Sequence, residues 1–405
     1  MIKHIMLVLV ALMTVSCVKE VKEQQLKVGT YRAWLNVQDQ KELPFIFEVT
    51  SPKTLKIFNA EEVIDVDEVT YLNDSVYIKT PVFETYIVAK ITNEESLNGF
   101  FVTEGLGRKV PFRAEGHNKN RFEAKPETKD VTGVWETVFS KDVEGDEYIA
   151  KGIFNQEGNK VTGTFRTTTG DYRYLEGVMD GDELKLSTFD GAHAFLFTAK
   201  VTDTTLEGFF YSGNHWKEPF VAKRNQAYEL PSANDLTFLK EGYERLEFSF
   251  PDEKGTLVSL SDERFKNKVV VVQIMGTWCP NCLDESKYYT KFYDNNKDKN
   301  VEIVALAFEY AKTQDKAFNS IARLRERLQV NYPILLAQYG TDSKTEAQQK
   351  LPMLNHVLSY PTTIFIDKTG KVRKIHTGFN GPATGEKYIE FKADFEGFIA
   401  QLLAE

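Results

Sequence analysis

The chain has 405 residues, of which 42% are hydrophobic, 13% aromatic and 27% charged. That balance excludes a disordered, collagen-like or coiled-coil chain, and at about 100–200 residues per domain the length predicts two to four domains. The net charge is −9 with no long basic run, so nucleic acid is not an expected partner. The only cysteines are Cys17, Cys279 and Cys282, too few for a disulfide scaffold or a four-cysteine metal site.

Residues 1–17 read MIKHIMLVLVALMTVSC. Lys3 gives a positive start, and the apolar run 5–15 suits a signal h-region but is too short to cross ~30 Å of hydrocarbon. Small Ser16 then meets Cys17. The pattern resembles a bacterial lipobox, whose cysteine becomes the lipidated first residue, although Thr14 stands where leucine is usual; a plain cleaved signal peptide is the alternative. The expectation is therefore a signal peptide over 1–17, lipid on Cys17 and a solvated tether over 18–27 (VKEVKEQQLK). Such a chain is anchored to a membrane and faces the periplasm or the outside, where free thiols tend to oxidise.

From 28 to 225 helical periodicity is almost absent. Short alternating runs such as LPFIFEV, TYIVAKI, KVTGTFRT and AFLFTAKV, bounded by Gly, Asn and Asp, predict an all-β barrel or sandwich. The segment also repeats itself. Leu97-Asn-Gly-Phe-Phe101 matches Leu206-Glu-Gly-Phe-Phe210, Pro111-Phe112 matches Pro219-Phe220, and Gly29 aligns with Gly133. The spacing is a duplication of about 105–110 residues, giving β repeats over 28–124 and 131–225 with KPETKD at 125–130 as their joint. Trp135, Tyr172, Tyr174, Phe209, Phe210, Tyr211 and Trp216 are candidates for a binding face, but filling the β core is the favoured reading. His117, His193 and His215 are scattered without ligand spacing, so no metal site is expected.

After a polar connector at 226–235 the pattern changes to alternating strands and helices, which predicts a mixed α/β domain over 238–405. The run 268–275 (KVVVVQIM) suits a strand buried on both faces and leads into Gly276-Thr-Trp-Cys-Pro-Asn-Cys-Leu-Asp-Glu-Ser286. A helix follows, with Leu283, Tyr288, Tyr289 and Phe292 facing inward. The run 301–307 is the next strand, and Ala317, Ile321, Leu324 and Leu328 have the spacing of a second amphipathic helix. A strand over 332–337, a hairpin over 362–377 and a closing helix over 386–403 complete the domain.

A Cys-x-x-Cys at a strand-to-helix junction has a specific chemistry. Unpaired N–H groups and the helix dipole favour an anion at the first cysteine, so Cys279 is the expected nucleophile. Cys282, one turn on and more buried, is the expected resolving thiol. Pro280 fits the first helical turn, where its missing N–H costs nothing. Half of a metal site, or two incidental core thiols, is the competing reading, and it fails for want of other cysteines. Glu285, three residues beyond Cys282, lies on the same helix face, whereas Asp284 points away.

Trp278-Cys279-Pro280-Asn281-Cys282, the strand before it, and Ser359-Tyr-Pro-Thr-Thr-Ile-Phe-Ile-Asp367 resemble the thioredoxin superfamily, and within it the membrane-attached TlpA/ResA-like disulfide reductases. The resemblance covers roughly 240–405. It implies that Pro361 is a cis-proline packed against the active disulfide, that Tyr360, Trp278 and Pro280 border the substrate, and that Glu285 is the acid/base for Cys282. Thioredoxins usually carry a buried Asp six residues before the first cysteine; here that position is Gln273.

The expected fold class is thus a duplicated all-β N-terminal region, barrel or sandwich, plus a C-terminal α/β thioredoxin-like fold. The expected activity is thiol–disulfide oxidoreduction, with no cofactor beyond the Cys279–Cys282 dithiol and no metal. Its expected partners are disulfide-bearing envelope proteins, a membrane thiol donor and the membrane itself through the lipid anchor. A binding role centred on the β repeats, and an oxidase or isomerase direction, are the alternatives.

Overall fold

The computed structural model describes residues 24–93 and 95–405, so the leader and Cys17 lie outside the described residues. Nine antiparallel strands between 29 and 116 follow one another as a meander. The first, Gly29–Asn36, pairs with both Glu42–Ser51 and the last, Arg108–Gly116. The ring is interrupted only between Glu62–Val66 and Glu68–Leu72, which do not pair.

The second repeat closes completely. Eight of its strands form a ring in sequence order, sealed where Gly133–Phe139 pairs with Trp216–Arg224. Of the two architectures open to an alternating all-β segment, the structure therefore takes the barrel, which removes exposed sheet edges. Its interior is aromatic: Phe165 meets Phe139 edge-on at 5.5 Å and lies tilted against Phe197 at 5.0 Å. Trp135, Phe210 and Tyr211 are buried, whereas Phe209 and Trp216 remain exposed. Core filling thus explains only part of the aromatic set.

The repeated glycine has a steric cause. Gly99 lies against Ala89 and Gly208 against Ala199 in the neighbouring strand. A Cβ at either position would run into the carbonyl oxygen of Val88 or Thr198. Only glycine allows this close strand approach, so both copies keep it.

The C-terminal unit has a five-stranded sheet in the order Ile334–Gln338, Val301–Phe308, Val269–Met275, Thr362–Ile366, Val372–Thr377. The first three strands run parallel, Thr362–Ile366 runs antiparallel to the central strand, and the edge strand Val372–Thr377 runs antiparallel to Thr362–Ile366. Every residue of the central strand is buried, as expected for a strand covered on both faces. Helices α1 (Pro280–Asn296), α2 (Gln314–Leu328), α3 (Lys344–Lys350) and α4 (Glu386–Ala404) surround the sheet. Leu283, Tyr288, Tyr289 and Phe292 of α1 all point inward.

Helix α2 docks where the first ring is interrupted. Arg327 reaches Asp67 at 2.8 Å, while Arg323 reaches Glu68 and the carbonyl oxygen of Thr80, both at 2.6 Å. The break in the first repeat is thereby covered by the C-terminal unit.

Phe139 is fully buried among six aromatic neighbours of the second barrel. Phe139→Ala should cost about 3–5 kcal/mol, read as a lowered denaturant midpoint at unchanged slope.

Candidate active site

The central strand ends at Met275, and the chain turns through Gly276 and Thr277 before α1 begins. Cys279 is the N-cap of α1 and Pro280 its first residue. The sulfur of Cys279 accepts the backbone N–H of Cys282 at 3.2 Å. A side-chain acceptor at an N-cap meets donors the helix itself leaves unpaired, and here the acceptor is the sulfur that would carry thiolate charge. The two cysteines form a disulfide with Cα atoms 5.2 Å apart. Cys282 is wholly buried and Cys279 is 7% exposed.

Across the disulfide, the Tyr360–Pro361 peptide is cis, and Cys279 Sγ lies 3.4 Å from the Tyr360 carbonyl oxygen. The Trp278 ring stands edge-on to Tyr360 at 5.6 Å, and its Nε1 donates to the Phe308 carbonyl at 2.9 Å. The structure thus brings together Trp278, Cys279, Pro280, Cys282, Tyr360 and Pro361.

Glu285 is completely buried one turn beyond Cys282. Its carboxyl accepts from Gln273 Nε2 at 2.8 Å, Thr363 Oγ1 at 2.8 Å and Tyr289 Oη at 3.0 Å. Burial raises its pKa to about 7, against the lowering effect of those three donors. Gln273, which stands where thioredoxins usually have a carboxylate, thus holds the carboxyl that α1 provides. Glu309 is a second buried acid, and burial likewise brings it to about 7. It accepts the N–H of Thr277 at 2.8 Å and its hydroxyl at 2.7 Å, fixing the loop before Trp278.

Other residues at the site gave no signal in the sequence. Arg173, from the second repeat, is buried with its guanidinium on Glu62 of the first repeat, Asp190 of its own, and Asp284 and the Pro280 carbonyl of α1. Asp284, which helix geometry alone turns away from Cys282, does so to meet Arg173. The neighbouring turn 167–171 lies on the redox face. The Thr169 carbonyl accepts from Ser359 Oγ at 2.7 Å, and the Asp171 carbonyl accepts from Asn281 Nδ2 at 3.1 Å. Asp171 Oδ2 accepts the Gly381 N–H at 2.6 Å, and burial raises its pKa to about 6. The tip of this turn is Thr168-Thr169, and nothing in its sequence tells what the turn touches.

Among the described residues no cluster of His, Cys, Asp and Glu is placed to hold a metal. The arrangement has what dithiol exchange needs: a sulfur at a helix N-terminus, a second sulfur one turn inside, and a buried carboxyl poised near neutrality behind it.

A Redoxin family model matches residues 240–389. The Bacillus subtilis thioredoxin-like protein YneN is 28% identical over 39% of this chain and 81% of its own length. The thiol-disulfide oxidoreductase ResA of Bacillus subtilis is 31% identical over 35% of this chain and 69% of its own. Among solved structures, a thiol-disulfide oxidoreductase from Bacteroides fragilis is 25% identical, covers 37% of this chain and 99% of that one, and has a TM-score of 0.27. These matches fall on the C-terminal part of the chain.

The raised Glu285 carboxyl binds its proton more tightly folded than unfolded. Its contribution to stability is therefore full below about pH 4.5 and is lost as pH rises through about 7. Glu285→Gln removes that loss, so the variant should gain up to about 3 kcal/mol over the parent at pH 8 and nothing at pH 4, as read by denaturant titration at both values.

Proposed function

Because the chain belongs to the ResA family of thiol-disulfide oxidoreductases, an enzyme group working by dithiol exchange, we propose that it reduces disulfides in proteins of the cell envelope. The observation that carries this reading is the Cys279–Cys282 disulfide at the start of α1, set against Pro361 with Glu285 buried behind it. In the reduced protein the Cys279 thiolate attacks a substrate disulfide. One S–S bond breaks, a mixed disulfide forms, and the first substrate thiol leaves. Glu285 takes the Cys282 proton, and the Cys282 thiolate attacks Cys279 Sγ. That restores the internal disulfide and releases the second substrate thiol. Two electrons have passed to the substrate: its first sulfur leaves as a thiolate and takes a proton from water, its second takes the proton that Glu285 removed from Cys282, and a membrane thiol donor returns the electrons.

The reducing direction is supported by the resemblance of Trp278-Cys279-Pro280-Asn281-Cys282 and Glu285 to membrane-attached disulfide reductases. Trp278, Pro280, Tyr360 and Pro361 form the substrate edge in this reading. Placement in the envelope is supported by the leader and by the lipobox-like Ser16-Cys17, with Cys17 carrying the lipid. Among the described residues no helix is long and apolar enough to cross a membrane.

Cys279→Ser should abolish reduction of a protein disulfide, while Cys282→Ser should accumulate a mixed disulfide visible by mass spectrometry under non-reducing conditions. The reduction potential, measured by equilibration against glutathione and dithiothreitol, should fall near ~ −270 mV or below; a value near ~ −120 mV would mark an oxidant instead. Growth with labelled fatty acid should label the chain, and Cys17→Ser should remove the label and release the protein from membranes.

A further inference from the structure

The β repeats are in contact with the redox centre, and their placement there is unequal at its two ends. At the α1 end the turn 167–171 fills the face. A Cβ on Gly170 would collide with the Asn281 amide, and one on Gly378 would collide with the Thr169 backbone. Both glycines have positive φ, so this contact is built for backbone against backbone. A substrate strand has no room there while Ser359 and Asn281 are bonded to the turn.

At the Trp278 end the face opens into a cleft of about 470 Å³, within the range of small-ligand and side-chain pockets. Trp278 forms one wall together with Tyr310, 5.7 Å from it. Leu106 comes from the first repeat, and Phe195, Phe210 and Trp216 come from the second. Leu106 and Trp216 are 39% and 43% exposed, large apolar groups that their neighbours cover only in part. Beside Trp278, the buried Tyr360 hydroxyl has no hydrogen-bond partner, a group that costs free energy unless something bonds to it. The residue next to the nucleophile is thus one wall of a cleft that needs all three units to exist, with an aromatic floor and with Arg108, His193, His215 and Asp342 also in its lining.

We propose that this cleft selects the substrate: an extended disulfide-bearing segment with an aromatic or large aliphatic residue beside its cysteine. That side chain seats against Trp278, Trp216 and Leu106 while the disulfide reaches Cys279. The proposal rests on the dithiol chemistry above and gives the β repeats the role of a specificity wall. The occupant is a peptide segment because the cleft is continuous with the redox face through Trp278, while the other end of that face is closed.

The test uses the full pre-reduced chain in single turnovers, in which each substrate disulfide takes up two electrons and two protons and the protein ends as the Cys279–Cys282 disulfide. Three substrates are compared: two disulfide-bridged peptides differing only in Phe or Glu beside the cysteine, and glutathione disulfide. The parent should oxidise about tenfold faster with the Phe peptide than with the Glu peptide. Trp216→Ala and Leu106→Ser, both at exposed positions, should each cut that preference about threefold or more, with rates for glutathione disulfide within about twofold of the parent. Equal parent rates for the two peptides, or variants that slow all three substrates alike, overturn the cleft while leaving the redox chemistry standing. A parent that reduces none of the three, glutathione disulfide included, overturns the dithiol reading and the cleft with it.

Discussion

One buried guanidinium holds the three units of this chain in register. Arg173 pairs with Glu62, Asp190 and Asp284 and donates to the Pro280 carbonyl at 3.0 Å. These partners come from the first repeat, the second repeat and the first turns of α1. Burial works to raise Asp190, but His193 and Arg173 beside it hold its carboxyl well below the usual carboxylate range. Taking such charges out of water is costly, and each is tolerable only while its partners remain, so removing one partner typically costs about 3–5 kcal/mol. Shared among three units, the ion cluster makes their relative placement all-or-none. The turn 167–171, just before Arg173, is consequently pressed onto Asn281 and Ser359, and the position of the redox face under the second barrel follows from it.

Beneath that face the proton chemistry depends on an exchange of roles between strand and helix. The central strand contributes Gln273, a donor, and α1 contributes Glu285, a carboxyl. The pair places a carboxyl in the same interior with the opposite connectivity. Three donors stabilise its charged form and burial opposes them, and the balance leaves the group near neutrality. Glu309 reaches a similar balance on the other side of the motif, where its two bonds to Thr277 fix the approach to Trp278.

Much of this was legible in the residues. The period-two runs and the Leu-x-Gly-Phe-Phe repeat marked two β copies because alternation and a close strand approach leave local traces. The strand before Gly276 and the spacing of Cys279, Cys282 and Glu285 marked a helix N-terminus with a carboxyl on the same face, since both follow from helix geometry. Barrel against sandwich was not legible: closure depends on whether the strand at 133–139 meets the strand at 216–224, a pairing about 80 residues apart that no local pattern encodes. Of the aromatic set, Phe210 and Phe209 are adjacent and alike, yet one is buried and the other exposed. Strand alternation separates such neighbours only once the inward face is known.

The sequence by itself determined the local matters: strand periodicity, the duplication, the helix start at Pro280 and the dithiol spacing. Each rests on contacts within a few residues or on a repeat visible along the chain. Tertiary structure alone decided that Arg173 meets Asp284, that Gln273 donates to Glu285, and that Trp278 shares a cleft with Trp216 and Leu106. These partners lie 12 to 172 residues apart, and a pairing across such distances is set by how whole units pack. In an isolated stretch of sequence a buried Arg is indistinguishable from a solvated one.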